Sequence, residues 1–258
     1  MNHALPAVCA LWKREVLRFV RQRSRWIGAL VTPLFFWILV GSGLGRTFQD
    51  PSGSVGGYLT YLFPGSIALS VLFTAIFSTI SVIEDRHQGF LQGVLVAPVP
   101  RWTVVMAKVL GGASLGLLQG ALFLVAAPFL GVHLDLVRLL LILVLIFAMA
   151  GSLTSLGFFF AWKIDSSQGY HGIMNLVLMP MWLLSGSVFP ASNDVFRLIF
   201  RLNPLSYAMD AFKALLWQLD PAWNEFGLAI GVLLAFLACF AGISTWLVSR
   251  SGVPLSSR

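Results

Sequence analysis

The chain has 258 residues, of which 58% are hydrophobic and only 10% are charged. Ordinary soluble domains carry about 25% charged residues, so this composition excludes an apolar core enclosed by a water-exposed surface and indicates an integral membrane protein. The formal net charge is +7. We attribute this charge to membrane topology, and expect no nucleic-acid partner, because the basic residues concentrate on one side of the predicted membrane.

Residues 1–25 predict a basic amphipathic helix that lies in the membrane interface. Trp12 belongs to its apolar side, and the arginines Arg14, Arg18, Arg21 and Arg25 share another face. The alternative is a surface helix packed on a soluble domain, but the sequence contains no soluble domain to receive it. The candidate functional residues of this helix are Trp12, Arg14, Glu15 and Arg18.

Six long apolar intervals between charged residues can each cross the hydrocarbon core, which is about 30 Å thick. The predicted spans are 26–45, 58–83, 109–132, 139–162, 172–192 and 226–249. With the N-terminus inside, 12 of the 17 lysines and arginines fall on the inner side, as the positive-inside rule expects. The sequence therefore predicts an all-α integral membrane protein, a single transmembrane domain over 1–258, with both termini in the cytoplasm.

The segment before the last span is too long for a tight turn and too apolar for a solvated loop. Asn203 followed by Pro204 has the form of a helix N-cap and first helical position. We predict one or two short re-entrant helices over 195–218 in the outer leaflet, with Pro190, Asn203, Pro204 and Tyr207 as its candidate functional residues. A seventh crossing is the alternative, but it would bury residues such as Arg201 at a cost of several kcal/mol each.

The most informative inner loop runs from Glu84 to Lys108. It begins with three charged residues at the end of the second span and continues as a short apolar stretch that includes Phe90, Leu91, Val94 and Leu95. Prolines at 98 and 100 then break the helix. A solvated loop is the alternative, but the segment is too apolar for that. We predict that residues 87–100 expose apolar side chains at the cytoplasmic edge and bind another protein.

These motifs, in this order, resemble those of the type-2 ABC exporter permeases, a family that includes exporters of drugs, nodulation factors and lipid-linked polysaccharides. The resemblance covers nearly the whole chain. The matching segments are Glu84–Arg86, Gly89–Gln92, Leu95–Arg101, Ser185–Pro190 and Leu202–Tyr207. Many members have Thr and Glu where this chain has Phe90 and Gln92. A contact to the ATPase that relies on that Glu is therefore absent here, or is supplied by Gln92 or Glu84.

The resemblance implies a half-transporter. Two copies would form a homodimeric channel, and each would rest its coupling segment on one of two separate ATP-binding subunits, which bind ATP and Mg. The residues implied in this coupling are Glu84, Asp85, Arg86, Gly89, Phe90, Leu91, Gln92, Leu95, Pro98 and Arg101. None of the four lysines of the chain is followed by Ser or Thr, which excludes a phosphate-binding loop. We therefore expect no catalytic residue, metal site or cofactor in this chain.

The expected function is export of an amphiphilic, lipid-like, drug-like or lipid-linked glycan substrate across a bacterial inner membrane. An ion-coupled secondary transporter is the alternative, but such proteins need ionisable residues at mid-membrane, and the predicted spans hold none away from their ends. A membrane-embedded enzyme is a third class. His133 and Asp135 are close in sequence, but no further catalytic group accompanies them.

Overall fold

The computed structural model describes residues 4–44, 57–132, 134–189, 194–217 and 223–250, and no β-strand occurs among them. These residues form ten α-helices. The helices are α1 (Ala4–Arg21), α2 (Arg23–Gly43), α3 (Gly57–His87), α4 (Phe90–Val96), α5 (Trp102–Leu124), α6 (Leu136–Lys163), α7 (Ser167–Trp182), α8 (Asp194–Leu202), α9 (Pro204–Trp217) and α10 (Trp223–Arg250). A 3-10 turn at Ala127–Leu130 and a wide turn at Leu183–Ser187 complete the described structure.

Five of the helices, α2, α3, α5, α6 and α10, are long and apolar enough to cross a membrane. Helix α3 is buried along most of its length, whereas α2 and α10 expose most of theirs. The core is therefore organised around α3, and the outer helices present apolar surfaces that only lipid or another protein can cover. The predicted all-α membrane fold is confirmed.

Helices α5 and α6 approach closely along a stripe of small residues. The stripe consists of Gly112, Gly116 and Gly120, which face Thr154, Ala150 and Ile146 of α6. A β-carbon added to Gly116 would lie 2.5 Å from that of Ala150, so a larger side chain would force the helices apart. Glycine is required here for packing, as the spacing in the sequence indicates.

The third predicted span differs from α5 at both ends. Helix α5 begins at Trp102 rather than at residue 109, and it ends at Leu124 before the 3-10 turn. The predicted span begins only after Lys108, because a charge is costly inside a membrane helix. In the structure Lys108 forms ion pairs with Glu15 and Asp85, so the helix continues through it.

The fifth predicted span, 172–192, is also shifted. Helix α7 begins at Ser167 and has 16 residues, a length of about 24 Å. It ends at Trp182 in the wide turn, where Gly186 adopts a φ of 76° that favours glycine. The six-crossing count therefore combines five long helices with this shorter one, and it remains a prediction.

Two short helices, α8 (Asp194–Leu202) and α9 (Pro204–Trp217), lie where one or two short re-entrant helices are predicted. Asn203 separates them: its Oδ1 accepts a hydrogen bond of 3.0 Å from the backbone N–H of Leu205, and its Nδ2 donates to the carbonyl of Met181 at 2.5 Å. The first bond confirms the predicted N-cap, with Pro204 as the first residue of α9. The second bond attaches this cap to the end of α7.

Tyr207 stabilises the same junction, because its hydroxyl donates a hydrogen bond of 2.8 Å to the carbonyl of Arg201 at the end of α8. Most of α9 is buried against the rest of the bundle. Pro190, the remaining candidate in this region, lies outside the described residues. The depth of α8 and α9 in the outer leaflet stays a prediction.

Candidate functional site

The last turn of α3 meets three other helices at the end of the bundle where α4 lies. Charged side chains from α1, α2, α3 and α5 form a connected network here, which we call the ion cluster. Its members are Arg14, Glu15, Arg18, Arg25, Glu84, Asp85 and Lys108. The cluster has four cationic and three anionic side chains, so its charges nearly cancel.

Asp85 is the centre of the ion cluster, and its side chain is 0% exposed. The carboxylate accepts two hydrogen bonds from Arg14, at 2.6 and 3.1 Å, and one from Arg18 at 2.6 Å. Lys108 donates a further bond of 2.6 Å. A carboxylate can be buried at this depth only because several charge-assisted hydrogen bonds replace its lost water.

Lys108 links α5 to the ion cluster, and its side chain is 8% exposed. Its ammonium group lies 2.7 Å from Glu15 Oε1 and donates to Ser81 Oγ at 2.8 Å, in addition to the bond with Asp85. Ser81 in turn donates to the other oxygen of Glu15 at 2.8 Å. The three donors of the ammonium group thus each have an acceptor nearby.

Glu84 connects α3 to both α1 and α2. Its carboxylate accepts a hydrogen bond of 2.8 Å from Arg18 and another from Arg25. The basic face predicted for the N-terminal helix includes Arg25, but α1 ends at Arg21 and Arg25 belongs to α2. The charges of Asp85 and Glu15 also raise the pKa of Arg14 above its ordinary value, although burial acts in the opposite direction.

Arg86 extends in a different direction and binds the end of α6. Its guanidinium donates to the backbone carbonyls of Ala161, at 3.1 Å, and Trp162, at 2.6 Å, and to the carboxylate of Asp165 at 2.5 Å. The last carbonyls of a helix lack partners within the helix, and Arg86 supplies one. Three consecutive residues of α3 therefore attach it to α1, α2, α5 and α6.

Helix α4 packs directly over the ion cluster. It follows Gly89, whose φ of 73° lies in the left-handed region. The guanidinium carbon of Arg14 lies 3.6 Å from the centre of the Phe90 ring, which is a cation–π contact. Leu91 and Leu95 are buried in the apolar core. The expectation that these two leucines are exposed for a partner is therefore wrong.

The exposed face of α4 consists of other residues of the predicted coupling segment. We call this surface the α4 face: it comprises Gln92, Gly93, Val96, Ala97 and Pro98. Val96 is its main apolar residue and is 74% exposed. Arg101 donates a hydrogen bond to the carbonyl of Leu95 and so attaches the end of α4 to the start of α5.

Three residues of this site, Arg25, Lys108 and Ser81, were not among the candidate functional residues. The last two both bind Glu15. A signal for the pairing exists, because Glu15 is the only acidic residue of α1 and Lys108 is the only charged residue of α5. Trp12, which was a candidate, donates a hydrogen bond of 3.1 Å to Ser114 of α5 and helps to hold α1 against it.

The fold and the site define a multi-pass α-helical membrane protein that presents one short helix at an end of its bundle. Residues 6–217 match the family described as ABC-2 type transporter, and the chain belongs to that family. It is 27% identical to Nodulation protein J of Rhizobium meliloti (strain 1021), with 97% of each chain covered. It is also 27% identical to the inner membrane transport permease YadH of Escherichia coli (strain K12), with 91% of this chain and 93% of the relative covered.

Proposed function

We propose that this protein is the transmembrane permease subunit of an ATP-driven exporter and that the α4 face binds a separate ATP-binding subunit. One observation carries the proposal: a short helix with an exposed face is attached to the end of the longest buried helix. Asp85 and Glu84 hold that end of α3 to α1, α2 and α5 through buried or half-buried ion pairs.

This attachment gives a physical route for coupling. A displacement of α4 cannot be absorbed locally, because Leu91 and Leu95 are packed in the core and Phe90 contacts Arg14. Closure of an ATP-binding partner would therefore move α4, α3 and α1 together, and packed helices shift as bodies. Opening of the helix bundle on the opposite side would follow from that movement.

The assembly that we propose contains two copies of this chain and two ATP-binding subunits, which carry the ATP and Mg. The absence of a phosphate-binding loop from the sequence supports a separate energy source. The inner-membrane location of the Escherichia coli relative, which its name states, supports the same location for this chain. The charge distribution supports cytoplasmic termini, which would place the α4 face on the same side as ATP.

We propose an amphiphilic substrate, such as a lipid-like or drug-like molecule or a lipid-linked glycan, taken from the cytoplasm or the inner leaflet. The apolar outer surface of α2 supports this class, because side chains such as Phe35 and Leu39 are exposed there. A substrate with an apolar part can reach such a surface from the membrane without leaving a low-dielectric environment.

The test changes Val96→Asp in the full chain, expressed together with the ATP-binding subunit of the same transporter. We expect the ATP-binding subunit to be lost from the purified complex, because the change places a charge in the middle of the contact, while the thermal stability of the chain itself is retained. Val125→Asp is the matched control, since Val125 is 68% exposed at the other end of α5.

Co-purification that survives Val96→Asp, or that is lost equally with Val125→Asp, contradicts the proposal. Transport in cells provides a second readout. If transport stops when the membrane potential is dissipated and continues when the ATP-binding subunit is deleted, the protein is an ion-coupled transporter instead.

A further inference from the structure

A concave basic surface runs along the outer side of α1. It is an open concavity of about 560 Å³, and we call it the α1 groove. Its lining residues are Ala10, Lys13, Arg14, Leu17, Arg18, Arg21 and Gln22. Lys13, Leu17 and Arg21 are four residues apart and therefore share one stripe of the helix, with the leucine between the two cations. The groove thus offers several cations and one apolar contact to a single ligand.

The charges of the α1 groove are not balanced within the described chain. Arg14 and Arg18 bind the carboxylates of the ion cluster. Lys13 and Arg21, by contrast, form no ion pair with any residue that the structure describes. Four cations in one concavity, two of them without an anion, favour a ligand that carries a concentrated negative charge.

The surroundings of the groove indicate where that anion comes from. Helix α2, an apolar candidate span, begins two residues after Arg21, and its early apolar residues Ile27 and Val31 are exposed. Leu17 and Val20 are exposed beside the cations on α1 itself. A free inorganic anion gains no binding energy from contact with apolar side chains. A phospholipid does, because its phosphate lies next to its glycerol and acyl carbons.

We propose that the α1 groove binds the phosphodiester head group of an anionic phospholipid of the adjoining leaflet. The phosphate lies between Lys13 and Arg21, and Leu17 contacts the carbon atoms next to it. Arg14 and Arg18 line the groove and also hold Asp85 and Glu84, so the bound lipid adjoins the ion cluster under α4. This site does not depend on the exporter function proposed above.

The test uses the purified full chain in a neutral detergent and counts bound lipid by native mass spectrometry. Phosphatidylglycerol is compared with zwitterionic phosphatidylcholine, and inorganic phosphate is added as a competitor. We expect the double variant Lys13→Gln, Arg21→Gln to bind phosphatidylglycerol at least about tenfold more weakly than the unmodified chain, because each cation near an anionic head group contributes to affinity.

The matched control is the double variant Arg23→Gln, Arg250→Gln, which removes the same charge outside the groove and is expected to change lipid binding by less than about twofold. Equal losses in both double variants would overturn the proposal in favour of diffuse electrostatic attraction. Equal binding of phosphatidylcholine, or displacement of the lipid by millimolar phosphate, would also overturn it. Unchanged binding of phosphatidylglycerol to the Lys13→Gln, Arg21→Gln variant would refute the lipid site.

Discussion

At the scale of single residues, the unusual feature of this protein is a fully buried aspartate among arginines and a lysine. Asp85 and Lys108 would each be very costly to bury alone, and a buried ion pair stabilises a fold only when its hydrogen bonds are complete. Here Arg14, Arg18, Lys108 and Ser81 complete them. Removing one member therefore matters more than its pairwise attraction suggests, because each neighbour loses a charge-assisted hydrogen bond while it stays wholly or partly buried.

We expect Asp85→Asn to lower the free energy of unfolding by about 3 kcal/mol, because it leaves Lys108 and two arginines around a neutral amide. The measurement is thermal unfolding of the purified chain in detergent. Asp165→Asn is the matched control, since Asp165 also pairs with an arginine but its side chain is 82% exposed. That change should cost less than about 1 kcal/mol. Equal effects of the two changes would show that the cluster does not stabilise the fold.

At the scale of helices, Glu84 differs from Asp85 in the helices that it connects. It is partly exposed and joins the end of α3 to α1 through Arg18 and to α2 through Arg25. Asp85 also binds α1, whereas Glu84 alone among the carboxylates of the cluster binds α2. In the coupling that we propose, Glu84 would pass a movement of α4 on to α2. Loss of this carboxylate leaves Asp85, and hence most of the cluster, in place.

We expect Glu84→Ala to reduce transport by at least about fivefold while ATP hydrolysis by the complex continues. A partly exposed ion pair contributes about 1 kcal/mol, which corresponds to a factor of about five. Transport and hydrolysis are measured in the same proteoliposomes. Glu84→Gln, which keeps hydrogen-bond acceptance, should give an intermediate rate. Unchanged transport by Glu84→Ala would refute the coupling role of this residue.

The sequence predicted the helices well where charge and apolarity agree. The long intervals gave α2, α3, α6 and α10, and Asn203–Pro204 gave the start of α9. The prediction failed where a charged residue lies inside a helix. Lys108 was taken as the boundary of the third span, but it lies inside α5 and forms ion pairs with Glu15 and Asp85. Those pairs join α5 to two other helices, so local residue spacing does not reveal them.

Helix α4 shows the same limit of sequence patterns. Its apolar residues were correctly placed on a short helix, but the pattern does not reveal which neighbours cover them. Leu91 and Leu95 face the core, and the α4 face consists of Val96 together with polar or small residues. The length of α7 was also missed, since the apolar interval continues past Trp182 while the helix gives way to the wide turn.

At the scale of the whole molecule, the helix bundle has two different ends. The ion cluster and the α4 face lie at one end, where α3 ends and α5 begins. At the other end Tyr58 of α3 donates a hydrogen bond of 3.1 Å to the carbonyl of Val188, near α9. Helix α3 connects these two ends. In the function that we propose, it would carry a movement of α4 across the membrane.

The most direct test of this account is cross-linking at Val96 in the complete transporter. A photo-reactive amino acid replaces Val96, and another chain carries it at Trp223, which is exposed at the start of α10. The account predicts a covalent product with the ATP-binding subunit from position 96 and none from position 223. A chain that gives no such product from position 96, or gives it equally from both positions, would contradict the central claim that α4 is the docking helix.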